Sequence, residues 1–351
     1  MFMDTEKLLA PVWETDEMTD EFITMTENGD GDIAGRLLFM PKDIICVKNA
    51  CLTETYTGGK DYVIKGRDVT RTANSRMAYF TKEQLYGNGY PEMQHFVRDD
   101  GRPSLFSEGT FFHEHQIAVS YTCENTWDGF VPPYQGDKVQ IAIDKLKNGK
   151  PFSLVLYGDS ISAGANASSK TGAKPFLPMW IDLVTDCLKQ HYHNLNITMH
   201  NPSVGGKCSK WGMENADELV NVHNPDMVIL AFGMNGGYTP EVFQSHIKKI
   251  MKIIRAKNPE CAFLLVATSL PNPILTNEKS PFVQYQAEYK NVLEPLCGAD
   301  KNAATVNVTD VHKYLISRKR YIDLTGNNVN HPNDFMVRVY AQVVNATLIQ
   351  K

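Results

Sequence analysis

Ser160 stands directly behind an apolar run, FSLVLYGD, and His331 stands directly before Pro332 near the far end of the 351-residue chain. A hydroxyl and an imidazole make a nucleophile-and-base pair wherever a fold brings them together. Three further groups of residues punctuate the chain: Asn201-Pro202-Ser203-Val204-Gly205-Gly206, Gly233-Met234-Asn235-Gly236, and the Asn328-Val329-Asn330 that leads into His331. Each has a plain structural explanation when taken alone. Gly158-Asp159-Ser160 is good turn and helix-cap material, glycine pairs usually mark turns, and a histidine before a proline often ends a loop. Their order along the chain, at the ends of successive predicted strands, gives them joint weight.

The elements around these groups alternate. Phe152 to Tyr157 has the composition of a buried parallel strand. Residues 175–193 carry apolar positions at helical spacing, LNITMHN reads as a second strand, and a helix is expected through MENADELVNVH. DMVILAFG is the third strand, and 239–259 is an amphipathic helix with Thr239 at its cap and Pro240 in its first turn. CAFLLVATS is the fourth strand, 281–296 a helix, AATVNVTD the fifth strand, and a last helix is expected after Pro332. Strands and helices alternating at these lengths predict a three-layer α/β/α domain with a parallel sheet. The loops leaving the C-terminal ends of its strands converge on one side.

The first half reads as β. RLLFMP at 36–41, DIICVKN, DYVIKGRDVTR, HQIAVSYTC and KVQIAIDKL are strand candidates separated by Gly/Pro/Asp turns, a spacing that suggests a β-sandwich or jelly-roll-like module. The polar segment KLKNGKP at 145–151 is the natural break, so the expected division is 1–148 and 149–351. Asn28, Asp30 and Asp32 imitate the start of a calcium loop, but Ile33 and Phe39 occupy the places that need Gly and Glu, and the segment reads as a turn. His113 and His115 would share one face of a strand; with no third ligand apparent, they read as core or interface histidines.

A length of 351 residues favours two domains, and 42% hydrophobic with 21% charged residues is ordinary for a globular protein. The formal net charge of −5 gives no electrostatic case for nucleic acid or an anionic membrane as partner. The acidic N-terminus does not read as a secretory signal, no apolar run approaches a membrane span, and the expected compartment is the cytoplasm. Seven scattered cysteines without a CxxC pair argue against a disulfide framework or a structural zinc site.

Gly158-Asp159-Ser160, the Gly205-Gly206 loop, Gly233-Met234-Asn235-Gly236 and His331-Pro332, in this order, resemble the SGNH branch of the GDSL hydrolases over the stretch from Phe152 to the C-terminus. The GDS turn and the HP pair are the most specific parts. The resemblance implies a flavodoxin-like α/β/α hydrolase fold and a serine esterase with no metal and no organic cofactor. It implies Ser160 as nucleophile, His331 as base, and an oxyanion hole made by the Ser160 and Gly206 backbone N–H groups and the Asn235 side chain. A β region ahead of the hydrolase domain is similar in architecture to two-domain carbohydrate esterases.

Two positions depart from the family pattern. Asn328 stands three residues before His331 where the family often has Asp, a departure that favours a Ser–His dyad over a triad, with Nδ1 of His331 oriented by a main-chain carbonyl, by the Asn328 amide oxygen, or by an acid such as Asp323 or Asp334. Gly236 follows Asn235 where the family often has Asp. Trp211, Met234 and Tyr238 fall in or beside the loops and are candidate substrate contacts. The expected substrate is a small-molecule or oligosaccharide ester, with removal of acetyl groups from a saccharide preferred. The alternatives are a lysophospholipase or acyl-thioesterase, or a carbohydrate-binding protein without turnover. Nothing in the sequence sets an oligomeric state.

Overall fold

The computed structural model describes residues 5–29, 31–275 and 284–350. Its second half is built on five parallel strands, β1 (Phe152–Gly158), β2 (Ile197–His200), β3 (Met227–Ala231), β4 (Ala262–Ala267) and β5 (Ala303–Asn307), in the order 2-1-3-4-5. The register pairs Phe152 with Ile197 and Leu154 with Met227. This is the flavodoxin-like order, in which the crevice at the switch point opens between β1 and β3.

Side chains on these strands alternate between two buried faces, which is why they read as continuous apolar runs. Leu154, Leu156, Ile229 and Leu264 join the core that holds α1 (Gln140–Lys147), α2 (Trp180–His191) and the last helix. Val155, Tyr157, Leu230 and Phe263 face α3 (Ser209–Leu219), α4 (Pro240–Arg255) and α5 (Tyr289–Ala299). Two further helices complete the layers, α6 (Val308–Arg318) and α7 (Asp334–Leu348), the latter capped by the Asn333 side chain on the Met336 N–H. Residues 281–283, the start of the predicted 281–296 helix, lie outside the described residues.

An antiparallel β region precedes this domain. One four-stranded sheet is ordered Glu17–Thr24, Gln116–Cys123, Pro41–Asn49, Thr55–Tyr56; a second comprises Thr26–Glu27, Ile33–Arg36, Asp68–Arg71 and Tyr62–Lys65; His95–Val97 and Pro103–Leu105 pair as a hairpin. Phe22, Ile23, Val47, Val119 and Tyr121 belong to the same hydrophobic core as α2 and α7, so the β region packs directly on the α/β/α domain. A buried ion pair, Lys319 with Glu21, joins the two parts, and Asp323 accepts the Thr24 N–H at 2.7 Å.

Three expectations for the first half are corrected. The strand predicted at 36–41 ends at Arg36, because the buried N–H groups of Leu38 and Phe39 are taken by the Glu21 carboxylate and the Tyr121 hydroxyl instead of a sheet ladder. KVQIAIDKL is helical, with Val139, Ala142, Ile143 and Leu146 buried at the spacing of one helix face. His113 lies in a short helix, Phe111–Glu114, and donates to the Lys174 carbonyl at 2.7 Å, while His115 stacks on Phe80; no shared strand face exists for them. Of the calcium-like segment, Asn28 and Asp32 close a turn on each other and Asp30 lies outside the described residues. All seven cysteines are free thiols. Among the described residues no helix is long and apolar enough to cross a membrane.

Candidate active site

At the end of β1 the chain turns sharply enough that a Cβ on Gly158 would stand 2.5 Å from the Ala231 carbonyl of β3, so glycine is required. Asp159 is fully buried and sets the next two corners: Oδ1 accepts the Ile161 N–H at 3.1 Å and Oδ2 the Met234 N–H at 3.3 Å. One carboxylate thereby ties the serine turn to the β3 loop across the switch point. Burial raises its pKa from 3.8 to about 6, against the pull of those N–H groups.

The loop after β2 is stitched to the same turn. Asn201 Nδ2 donates to the Ser162 carbonyl at 2.8 Å, Val204 N–H reaches Gly158 O at 3.3 Å, and a Cβ on Gly205 would lie 3.8 Å from the Ser160 Cβ. Asn235, at the end of the β3 loop, donates from Nδ2 to the Lys207 carbonyl at 3.2 Å. The backbone N–H groups of Ser160 and Gly206 have no acceptor among the described residues. Two unengaged backbone N–H groups, one on the serine turn and one on the loop stitched to it, thus accompany the Asn235 side-chain amide on the β3 loop. Gly236 suits its place: a Cβ there would fall 2.6 Å from the Tyr238 ring, at φ +100°.

The histidine is held by a polar knot. Asn327 Oδ1 accepts the N–H groups of Val329, Asn330 and His331, each at 3.0 Å, and Thr325 Oγ1 donates to the His331 carbonyl at 2.9 Å. This aims His331 Nε2 at Ser160 Oγ, 2.9 Å away, with both residues almost fully buried. Nδ1 lies 2.8 Å from Asn166 Oδ1 and 3.1 Å from Glu108 Oε2. Asn166 Nδ2 donates to the Gly326 and Gly109 carbonyls, so its oxygen must be an acceptor. Both neighbours of Nδ1 are therefore acceptors, the ring proton sits on Nδ1, and the Nε2 lone pair faces the Ser160 hydroxyl.

Neither Glu108 nor Asn166 was singled out in the sequence, and none of the three side chains proposed there to orient His331 does so. Asn328 turns away: Nδ2 donates to Leu105 O at 2.9 Å and to Ser104 Oγ at 3.2 Å, and Oδ1 accepts from Asn272. Asp323 is occupied by Arg320 and the Thr24 N–H. Asp334 accepts the Ser168 N–H at 2.9 Å, and burial raises its pKa. A main-chain carbonyl is likewise not what Nδ1 meets. The sequence carried one signal, Asn328 in place of an acid, but nothing local pointed to a carboxylate 223 residues earlier.

Glu108 is half-exposed, with 49% of its side chain accessible. Burial works to raise its pKa, but hydrogen bonds from His331, Asn327 and Asn166 and the His331 charge outweigh it and hold the carboxyl below its ordinary value. Of the candidate substrate contacts, Met234 is fully buried in the core and drops out. Trp211 is partly buried, with Lys207 Nζ 5.5 Å from its ring centroid. The Tyr238 hydroxyl lies 3.5 Å from Cys208 Sγ, beside the Gly206 loop.

A 2-1-3-4-5 sheet with a Ser–His pair at its switch point defines an α/β/α domain of the hydrolase type. The chain belongs to the GDSL-like lipase/acylhydrolase family, whose model matches residues 156–338 and so spans both Ser160 and His331. Among curated relatives, an arylesterase of Vibrio mimicus is 30% identical over 105 residues, 29% of this chain and 48% of the relative. The thioesterase 1/protease 1/lysophospholipase L1 of Escherichia coli is 26% identical over 122 residues, 34% of this chain and 52% of the relative. The chain thus spans about half the length of the curated relatives it matches. Among solved structures, a two-domain esterase active on acetylated mannans is similar at TM-score 0.48 and 21% identity, covering 62% of this chain and 52% of that one.

Proposed function

We propose that the protein is a serine esterase that removes O-acyl groups, with acetylated oligosaccharides as the preferred substrates. The observation that carries this is the 2.9 Å contact between Ser160 Oγ and the proton-accepting face of His331, bordered by unengaged N–H donors. Ser160 Oγ attacks the ester carbonyl carbon as His331 Nε2 takes its proton. The carbonyl oxygen becomes an oxyanion facing the N–H groups of Ser160 and Gly206 and the Asn235 amide. Collapse breaks the C–O bond to the alcohol, which leaves with the proton from His331. Water then repeats the sequence on the acyl-serine, releasing the acid and restoring Ser160.

The rim supports a small, polar substrate. Gly205, Gly206 and Gly236 are exposed, Asn235 and Trp211 are partly so, and Met234 is withdrawn into the core. The free thiols support action in the cytoplasm. A second reading, hydrolysis of longer acyl esters or thioesters, is favoured by the similarity to the Escherichia coli enzyme. The test is acetate release from acetylated oligosaccharides together with a chain-length series of model esters. Acetyl preference is expected; a rate rising from acetyl to octanoyl would select the second reading. Ser160 is expected to take a fluorophosphonate label, and Ser160→Ala to lose activity. An unlabelled Ser160 with retained sugar binding would replace both readings with a binding protein.

A further inference from the structure

We infer that Glu108, carried by the N-terminal β region, is the positioning residue that holds the imidazolium of His331, in place of the carboxylate that position 328 does not supply. The inference rests on the reading of Ser160 and His331 as nucleophile and base.

Four observations point the same way. Glu108 Oε2 lies 3.1 Å from His331 Nδ1, the nitrogen opposite the one facing Ser160. Its other oxygen accepts Asn327 Nδ2 at 3.1 Å, from the residue whose Oδ1 also anchors the His331 backbone, so carboxylate and ring are referenced to one side chain. The segment bearing Glu108 is clasped from both sides: Asn328 binds the Leu105 carbonyl, and Asn166 the Gly109 carbonyl. The asparagine at the family's acid position therefore fastens the segment that carries an acid. Lastly, Asp159, whose charge also reaches His331, already accepts two backbone N–H groups and is fully buried.

Asn166 and Glu108 divide the work. A neutral imidazole needs only an acceptor to fix its tautomer, and Asn166 Oδ1 at 2.8 Å provides one. When Ser160 surrenders its proton the ring becomes cationic, and an amide oxygen cannot match that charge, whereas Glu108 can. Because half of the Glu108 side chain meets solvent, its field is screened. Its removal should cost less than the roughly 10⁴-fold seen when a buried triad aspartate is neutralised.

The experiment compares full-length wild type, Glu108→Gln, Glu108→Asp and Ser160→Ala on a soluble acetyl ester, with kcat and kcat/KM followed across pH. Glu108→Gln is expected to lower kcat by about 10- to 100-fold with KM little changed. The acid limb of its kcat/KM profile should move down by about 0.5 to 1 pH unit, because the ring loses a negative neighbour. Glu108→Asp, which keeps the charge, is expected to keep the wild-type limb. A packing role alone would lower activity without moving that limb. Glu108→Gln with wild-type kcat and limb, or both variants shifted alike, overturns the inference while leaving Ser160 as nucleophile. Ser160→Ala with full activity overturns the underlying reading instead. Should Glu108→Gln not fold, Glu108→Ala takes its place: a limb lowered relative to Glu108→Asp supports the inference, and a limb shared by the two variants overturns it.

Discussion

Asn328 Nδ2 donates to the Leu105 carbonyl at 2.9 Å, so the residue three places before His331 grips the N-terminal hairpin and not the imidazole. Its φ of +64° and complete burial fix that orientation. Restoring the family's acid by Asn328→Asp is therefore expected to give no gain in activity. The new carboxylate would face the Leu105 carbonyl, an obligate acceptor, with only the Ser104 hydroxyl able to turn and donate to it, in a buried site where a lost hydrogen bond and a poorly paired charge both cost free energy. A fall in stability of about 2 to 4 kcal/mol is expected, read as a lowered melting temperature together with reduced kcat.

Asn235→Ala tests the donor set. The substitution removes a side-chain amide on the β3 loop that is held in place by Lys207 O at 3.2 Å. If that amide meets the oxyanion, kcat and kcat/KM should fall together, by about 10² to 10³. A rise in KM with unchanged kcat would instead mark Asn235 as a ground-state contact. Steady-state kinetics on one acetyl ester decides between them.

Asp159 gives a pH signature. Its pKa in the folded state, about 6, lies above its ordinary 3.8, so the native form binds the proton more tightly than the unfolded chain. That stabilisation is fully present below pH 3.8 and is lost as pH rises through about 6. Asp159→Asn does not titrate, and it turns one acceptor toward either the Ile161 or the Met234 N–H at a cost independent of pH. The stability of wild type minus that of Asp159→Asn should therefore decline between pH 4 and pH 6, by an amount on the order of 3 kcal/mol. Denaturant melts of both proteins across that range provide the measurement.

Much of the second half was legible because a parallel sheet covered on both faces writes itself as unbroken apolar runs. Val228 to Leu230 and Phe263 to Val266 could be read from composition alone. The loops that bring Ser160, Gly205 and His331 together followed from strand order. The first half was harder because its chain takes hydrogen bonds from side chains: Leu38 and Phe39 look like strand but spend their N–H groups on Glu21 and Tyr121. Ile141 and Ile143 disguised a helix as a strand. Met234 looked available because it sits in an active loop, yet its N–H bond to Asp159 turns the side chain inward. Glu108 left no trace, since contact across 223 residues depends on how the β region docks on the domain, which no local spacing encodes.

That docking can itself be tested at Lys319 and Glu21, whose side chains are wholly inaccessible. Lys319 Nζ also donates to the Arg36 carbonyl at 2.9 Å, and Glu21 accepts from the Leu38 N–H and the Tyr121 hydroxyl. Lys319→Met leaves a buried carboxylate without its cation, which should cost about 3 to 5 kcal/mol. Glu21→Gln with Lys319→Met removes both charges and keeps an acceptor oxygen for the Leu38 N–H, while the Tyr121 hydroxyl must turn to accept from the new amide, so the double variant should recover much of the loss. Because Glu21 lies on the strand whose Thr24 N–H meets Asp323, the single variant should also loosen the β region at the His331 loop. Melting temperatures should therefore rank wild type above the double variant and the double above Lys319→Met, and kcat should follow the same order if the β region positions Glu108. Equal melting temperatures for the single variant and wild type would mean that the pair contributes nothing to docking.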